Sequence, residues 1–432
     1  MTVASDLLFS TRDLLIGTAT ASLQIEGGDR NNNWYDWAQL PGTIADGSTP
    51  ERATDHWNRW REDTDLMASL GLQTYRMGVE WSRIEPRPGE VDRATLDRYA
   101  EEVAAVRAAG TVPLVTLHHF SHPSWFAGLG GWANERAADR WLGLVRLVVD
   151  ALGEHVTDWV TINEPNVYAT QAHLFGEGPP GDKDWGALRA TLRHMTIAHI
   201  RAYRLLHELQ PDARVGFAHH ARVFAPKDAR NPLHRAFSAL DRALFQDLLA
   251  DAMLAGRWTP LLGRRPADIT PGRYYDYLGL NYYSRSAVSG LADGTFAGAP
   301  VNDLGWEVYP GGIVEVARAL HARHPAPIWV TENGTADAAD AFRARFVHDH
   351  LAAMASSGLP FERYYHWCFV DNWEWSQGEG PRFGLVALDY ETQERTVRDS
   401  GQFLAAVIRD GGVTAASYER YVAGQSYPSA PR

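Results

Sequence analysis

Two short stretches of the chain each carry a glutamate to the end of an apolar run. In one, Ile328-Trp329-Val330-Thr331 leads to Glu332 and then Asn333-Gly334. In the other, Trp159-Val160-Thr161-Ile162-Asn163 leads to Glu164 and Pro165. Such β-branched and aromatic runs read as strands buried on both faces. The Asn-Gly pair reads as a sharp turn at the strand's end. A carboxylate at the mouth of a buried strand is costly unless it is paired or used. A salt bridge would account for one such glutamate, but two of the same design point to convergence. Two carboxyls at one mouth are the minimum apparatus for cleaving a glycosidic bond. One protonates the departing oxygen, and the other stabilises or attacks the anomeric carbon.

The elements that must position them alternate strand and helix. Apolar strand windows fall at 14–20, 74–81, 112–120, 159–163, 215–218, 277–283, 328–332 and 364–370. Between them lie helical spacings. Trp57, Trp60, Met67 and Leu70 precede Gly71, a glycine in helix-stop position. Leu96, Tyr99, Val103 and Val106 precede Gly110, and a helix over 141–152 closes at Gly153. Leu192, Met195, Tyr203 and Leu206 mark another helix, and helical stretches are expected around 237–254. A helix at 403–408 is expected to close the chain. Eight short buried strands alternating with helices predict an α/β fold, a single (β/α)8 TIM barrel over 1–432. In that fold the active site lies at the C-terminal ends of the strands. The polar residues expected there are Gln24, Arg76, His119, Asn163, Glu164, Asn281, Tyr283, Glu332 and Glu374.

Composition narrows the function. A net charge of −12 argues against a nucleic-acid partner. The single cysteine, Cys368, excludes an intrachain disulfide and a CxxC metal site and reads as an inert buried thiol. No basic n-region precedes an apolar run at the start and no segment approaches a membrane span, so cytoplasm is the expected location. Only two lysines occur, Lys183 and Lys227, and there is no GK pair for a phosphate-binding loop. The 16 tryptophans suit stacking on sugar faces, but they also fill cores; Trp57, Trp60 and Trp141 read as core. His118 reads as a hydrogen-bonded barrel residue, and His219-His220 as packing or rim polarity. A metal-dependent hydrolase is the rival enzyme, with His119, His122, His219, His220 and Asp371 as ligand types, but the first strand lacks an HxH pair. A sugar-binding protein without catalysis would not need both glutamates. A transglycosylase would need the same residues and a drier acceptor site.

Among the mouth residues, Arg76 and Tyr283 are suited to holding Glu332 ionised. Glu164, desolvated and near that charge, is then expected to have a raised pKa and to carry a proton. Asn163 is placed to bind the sugar 2-hydroxyl. These pieces, in order along nearly the whole chain, resemble the family 1 glycoside hydrolases, the β-glucosidase family. The matching stretches are Gln24-Ile25-Glu26-Gly27, Tyr75-Arg76 with Trp81-Ser82-Arg83-Ile84, His118-His119-Phe120 and Asn163-Glu164-Pro165. They continue with Leu278 to Tyr283, Gly305-Trp306, Glu332-Asn333-Gly334, Asp371-Asn372-Trp373-Glu374-Trp375 and Arg382-Phe383-Gly384-Leu385.

The resemblance implies a retaining double displacement with Glu332 as nucleophile and Glu164 as acid/base. It implies that Arg76, Tyr283 and Asn281 position the nucleophile. Gln24, His119, Asn163, Glu374 and Trp375 would bind the glycone over a Trp367 platform, with Trp306 toward the aglycone. No cofactor or metal is implied, and the partner is a small β-glycoside. The chain departs from the family where Ser376-Gln377-Gly378-Glu379-Gly380-Pro381 lacks the usual aromatic after the glycine, and where Cys368 replaces a common serine. Glu374 is expected to accept hydrogen bonds from O4 and O6 and to repel a 6-phosphate. Unphosphorylated β-D-glucosides are therefore the expected substrates, with β-D-galactosides and β-D-fucosides beside them.

Overall fold

The computed structural model describes residues 7–431. Eight parallel strands close into a barrel in chain order: β1 (Leu15–Ala19), β2 (Thr74–Gly78), β3 (Val112–Thr116), β4 (Asp158–Asn163), β5 (Arg214–His220), β6 (Leu278–Asn281), β7 (Ile328–Asn333) and β8 (Phe361–Trp367). A helix follows each strand: α1 (His56–Ser69), α2 (Arg93–Ala108), α3 (Ala137–Leu152), α4 (Trp185–Leu209), α5 (Leu248–Ala255), α6 (Gly311–Arg323), α7 (Arg343–Ala355) and α8 (Asp399–Asp410). This is the (β/α)8 barrel expected from the alternation. The helices dock by one apolar face. In α3, Trp141, Leu144, Val145, Val148 and Leu152 recur at helical spacing and are all buried. Trp60 is buried in the same way, whereas Trp57 is half-buried beneath the guanidinium groups of Arg83 and Arg98.

The N-terminal end of the barrel is plugged. Asp158, at the start of β4, takes Arg214 at 2.8 Å and Arg363 at 2.5 Å. The Arg363 guanidinium covers Trp329, which also stacks on the Tyr277 ring at 3.7 Å. Leu114, Val160, Ala218 and Tyr365 join the same buried cluster. With that end filled, the opposite mouth is where an open site can form.

Several boundaries differ from the sequence reading. β2 and β3 stop at Gly78 and Thr116, short of the expected 81 and 120, because the chain turns into loops that line the mouth. β8 starts at Phe361, earlier than expected, since the polar Glu362 and Arg363 disguise a strand start. Both serve Trp329: Glu362 accepts its indole N–H at 3.0 Å and Arg363 caps its face. Asn333-Gly334 is not a turn; β7 runs through Asn333, whose amide is fixed by Tyr282 and Tyr364. Glycine is required at 334 because a Cβ there would lie 1.9 Å from the Trp367 carbonyl oxygen. Nor does the helix at 403–408 end the chain. After α8, Gly412–Thr414 pairs antiparallel with Leu7–Ser10, and a further helix spans Ala415–Tyr421. Among the described residues no helix is long and apolar enough to cross a membrane.

Candidate active site

Strand ends bring the two glutamates to one mouth. Glu332 is the fifth residue of β7 and is buried. Its Oε1 receives an Arg76 N–H at 2.6 Å, and its Oε2 receives the Tyr283 hydroxyl at 2.6 Å. Glu164 follows β4 in the left-handed region, at φ 41° and ψ 59°, a backbone that costs a non-glycine residue about 1–3 kcal/mol. Its backbone N–H bonds the Ala218 carbonyl at 2.8 Å, and the turn carries its carboxyl toward β5 and β6. There Oε1 accepts Asn281 Nδ2 at 2.8 Å and lies 2.9 Å from His220 Nδ1.

The two carboxyls are joined by a buried polar network. Arg76 also donates to Asn163 Oδ1 at 2.7 Å and to Thr116 at 2.9 Å. Asn163 Oδ1 accepts Asn281 as well, at 3.1 Å, and Asn163 Nδ2 bonds His119 Nε2 at 3.0 Å. Burial, together with the positive charge of Arg76, holds His119 neutral, well below the ordinary histidine range. Since its Nε2 accepts from Asn163, its proton sits on Nδ1, which is buried without a protein partner. Gln24 is similar: its Nε2 donates to Asn372, the Trp373 carbonyl and Glu374, while its Oε1 is buried and unpaired. A buried donor and a buried acceptor, both unpaired in one mouth, are what a polyhydroxylated ligand would satisfy.

Glu374 accepts the Trp367 indole N–H at 3.1 Å and Gln24 at 3.3 Å, and it makes no ion pair among the described residues. Burial and the nearby Glu332 charge push its carboxyl up to about 8. The expectation that its negative charge repels phosphate is thereby corrected, since near neutral pH the free carboxyl is mostly protonated. The His119 ring stacks against both Trp367 and Trp375, with centroids 5.8 and 5.9 Å away. Trp306 is exposed and meets Tyr283 edge-on at 6.0 Å.

Two further expectations about this site are corrected. Asn281 was expected to position Glu332. It pairs with Glu332 only in strand register, and its amide serves Glu164 and Asn163 instead. For this closely coupled pair the directions run opposite to the expectation of an ionised Glu332 and a protonated Glu164. Burial pushes Glu332 up, Arg76 pulls it down, the Glu164 charge pushes it up again, and the balance stands at about 7. Burial also works to raise Glu164, but the charge and hydrogen bond of His220, with Asn281 and Arg76, hold it below its ordinary value.

The strand alternation carried the signal for His220. In β5, Ala218 faces the barrel interior, so His220, two residues on, faces the mouth; His219 shares the opposite face with Phe217. His118 accepts the Trp132 indole N–H at 2.9 Å, as a barrel histidine should. Cys368 is a buried thiol donating to the Val370 carbonyl. The ligand types of the metal reading disperse: His119 goes to Asn163, His220 to Glu164 and Asp371 to Arg398, and no three metal-ligating side chains cluster among the described residues.

A plugged (β/α)8 barrel whose mouth holds two networked glutamates, one fixed by arginine and tyrosine, defines the barrel glycosidases. The chain belongs to glycosyl hydrolase family 1, whose model matches residues 9–413, and it is an enzyme that hydrolyses glycosides. It is 30% identical to beta-glucosidase A of Thermotoga maritima, across 92% of this chain and 97% of that protein. The solved beta-glycosidase from Pyrococcus horikoshii superposes with a TM-score of 0.88 at 31% identity, covering 96% of this chain and 98% of the other. The Thermotoga maritima beta-glucosidase in complex with glucoimidazole superposes at 0.87 and 29% identity, covering 94% and 100%.

Proposed function

We propose that the protein is a retaining β-glucosidase acting on unphosphorylated β-D-glucosides, with β-D-galactosides and β-D-fucosides as further substrates. The observation that carries the reading is the unequal dress of the two glutamates. Glu332 has both oxygens fixed, by Arg76 and Tyr283, as an aimed nucleophile requires. Glu164 has only Oε1 fixed, leaving Oε2 for the departing oxygen.

In the first step a Glu332 oxygen bonds to C1 as the C1–O bond to the aglycone breaks, and Glu164 gives its proton to that oxygen. In the second, Glu164 as carboxylate takes a proton from water, the water oxygen bonds to C1, and the glycosyl ester to Glu332 breaks. The ester removes the Glu332 charge, so Glu164 changes role in an altered field. His119 Nδ1–H, Gln24 Oε1, Asn163 and Glu374 bind glycone hydroxyls, Trp367 and Trp375 wall the sugar, and Trp306 lies toward the aglycone. At about 8, Glu374 can donate to one hydroxyl and accept from its neighbour. Glu374 offers a 6-phosphate no positive charge to pair with. The relatives named beta-glucosidase support the glucose reading, and cytoplasm remains the proposed location.

The test is a panel of 4-nitrophenyl glycosides. Turnover of β-glucoside, with retention of configuration by proton NMR, is expected. Preferential turnover of 6-phospho-β-glucoside, or an inverted first product, would overturn the reading.

A further inference from the structure

His220 is the last residue of β5, and its imidazole is held from several sides. It stacks on the Tyr283 ring, with centroids 6.1 Å apart and planes inclined by 17°, and it meets the Phe245 edge at 5.9 Å. Its backbone carbonyl accepts Asn166 Nδ2 at 2.9 Å, which ties it to the helical turn that begins just after Glu164. Arg222, two residues on, reaches Ser286 and Asp293 rather than the ring. The imidazole therefore has one polar neighbour that matters, Glu164 Oε1 at 2.9 Å from Nδ1. That oxygen already accepts an Asn281 N–H at 2.8 Å, whereas Oε2 makes no hydrogen bond among the described residues.

We propose that His220 is a positioning residue for Glu164: its Nδ1–H and the Asn281 amide hold Oε1, so that the proton to be donated stands on Oε2, facing the scissile bond. This rests on the reading of Glu164 as acid/base. His220 donates its Nδ1–H to Oε1. A protonated Glu164 then presents Oε1 as a carbonyl-type acceptor and Oε2–H as the acid. As the proton passes to the departing oxygen, Glu164 becomes a carboxylate, and both N–H bonds to Oε1 become charge-assisted and strengthen. Interactions that strengthen along the reaction coordinate lower the barrier. The gain appears only where the leaving group needs the proton.

The test measures kcat/KM over aryl β-D-glucosides from 2,4-dinitrophenyl to phenyl, in H220F and H220N. Phenylalanine keeps the stacking and removes both nitrogens; asparagine returns an amide N–H close to the Nδ1 position. Losing a hydrogen bond to a charged group corresponds to about 10- to 100-fold. His220→Phe is expected to lose that much more on the phenyl than on the dinitrophenyl glucoside, and His220→Asn to recover most of the difference. Equal losses across the series, or an asparagine variant no better than phenylalanine, would overturn the proposal, because simple packing damage ignores the leaving group. Glu164→Ala is assayed beside them. If it fails to show a leaving-group split, the acid/base reading itself falls; if it shows the split and His220→Phe does not, only the role of His220 falls.

Discussion

Replacing Tyr283 by phenylalanine removes one oxygen and leaves the ring that supports His220 in place. That oxygen lies 2.6 Å from Glu332 Oε2, and burial leaves Oε2 no substitute donor among its protein neighbours. A hydrogen bond to a charged group contributes about 1.5–3 kcal/mol, and 1.36 kcal/mol is one pKa unit, so the Glu332 carboxyl should rise by about 1–2 units from its value near 7. The sign follows from which form the bond favours. The hydroxyl donates to the carboxylate, so its loss favours the protonated acid. Attack on C1 needs the carboxylate, so the acidic limb of kcat/KM should move to higher pH, with a loss of about 10- to 100-fold below it and a smaller loss above. A dinitrophenyl β-glucoside is the right substrate, because its leaving group makes little demand on Glu164. Thermal melting of the variant at one pH checks that the fold is kept. An acidic limb that stays in place would refute the reasoning, because it would mean that Tyr283 does not tune the group that attacks.

Two further outcomes follow from buried acids. Burial, with Asp29 and Glu26 nearby, pushes Glu80 up to about 8, where Ser22, Ser82 and Ser121 surround it. A folded-state pKa above the unfolded one gives stability that is lost as pH rises through the folded value, and His56, raised to about 9, acts in the same direction. The melting temperature should therefore fall between pH 6 and 9, and Glu80→Gln should flatten that fall; an unchanged slope would show that Glu80 is already ionised in the fold. Glu374→Ser should weaken β-glucoside turnover more than turnover of the 6-deoxy β-fucoside, since a hydrogen bond of about 0.5–1.5 kcal/mol between the neutral carboxyl and O6 is lost only from the former. Equal losses in kcat/KM would remove the contact to O6.

Much of this site was legible in sequence because barrel chemistry sits at strand ends and buried strands are loud in composition. The runs before Glu164 and Glu332 named both carboxyls, and the pairing of Arg76 and Tyr283 with Glu332 followed from charge and reach. Three things were not legible. Amide direction is one: Asn281 lies beside Glu332 in register yet turns its amide to Glu164, which only the three-dimensional path of β6 decides. Proton affinity is another, because it is a balance of burial against partners, and the decisive partner of Glu164 lies 56 residues away on β5. Strand starts are the third: Glu362 and Arg363 are polar residues that begin a buried strand because Trp329 gives each a partner. The alternation in β5 did mark His220, but a paired His219-His220 reads as rim polarity until the interior face of that strand is known.

The central claim is that Glu332 attacks the anomeric carbon from within the grip of Arg76 and Tyr283. Glu332→Gly removes the attacking carboxylate and opens space on that face of the sugar. The variant should lose turnover of every β-glycoside, and azide added with 2,4-dinitrophenyl β-D-glucoside should restore activity and yield the α-glucosyl azide, because the small anion attacks from the vacated side. Proton NMR of the product decides the matter. An α-linked azide is the expected result. Residual hydrolysis in Glu332→Gly without azide, or a β-linked azide, would contradict the assignment of Glu332 as the nucleophile.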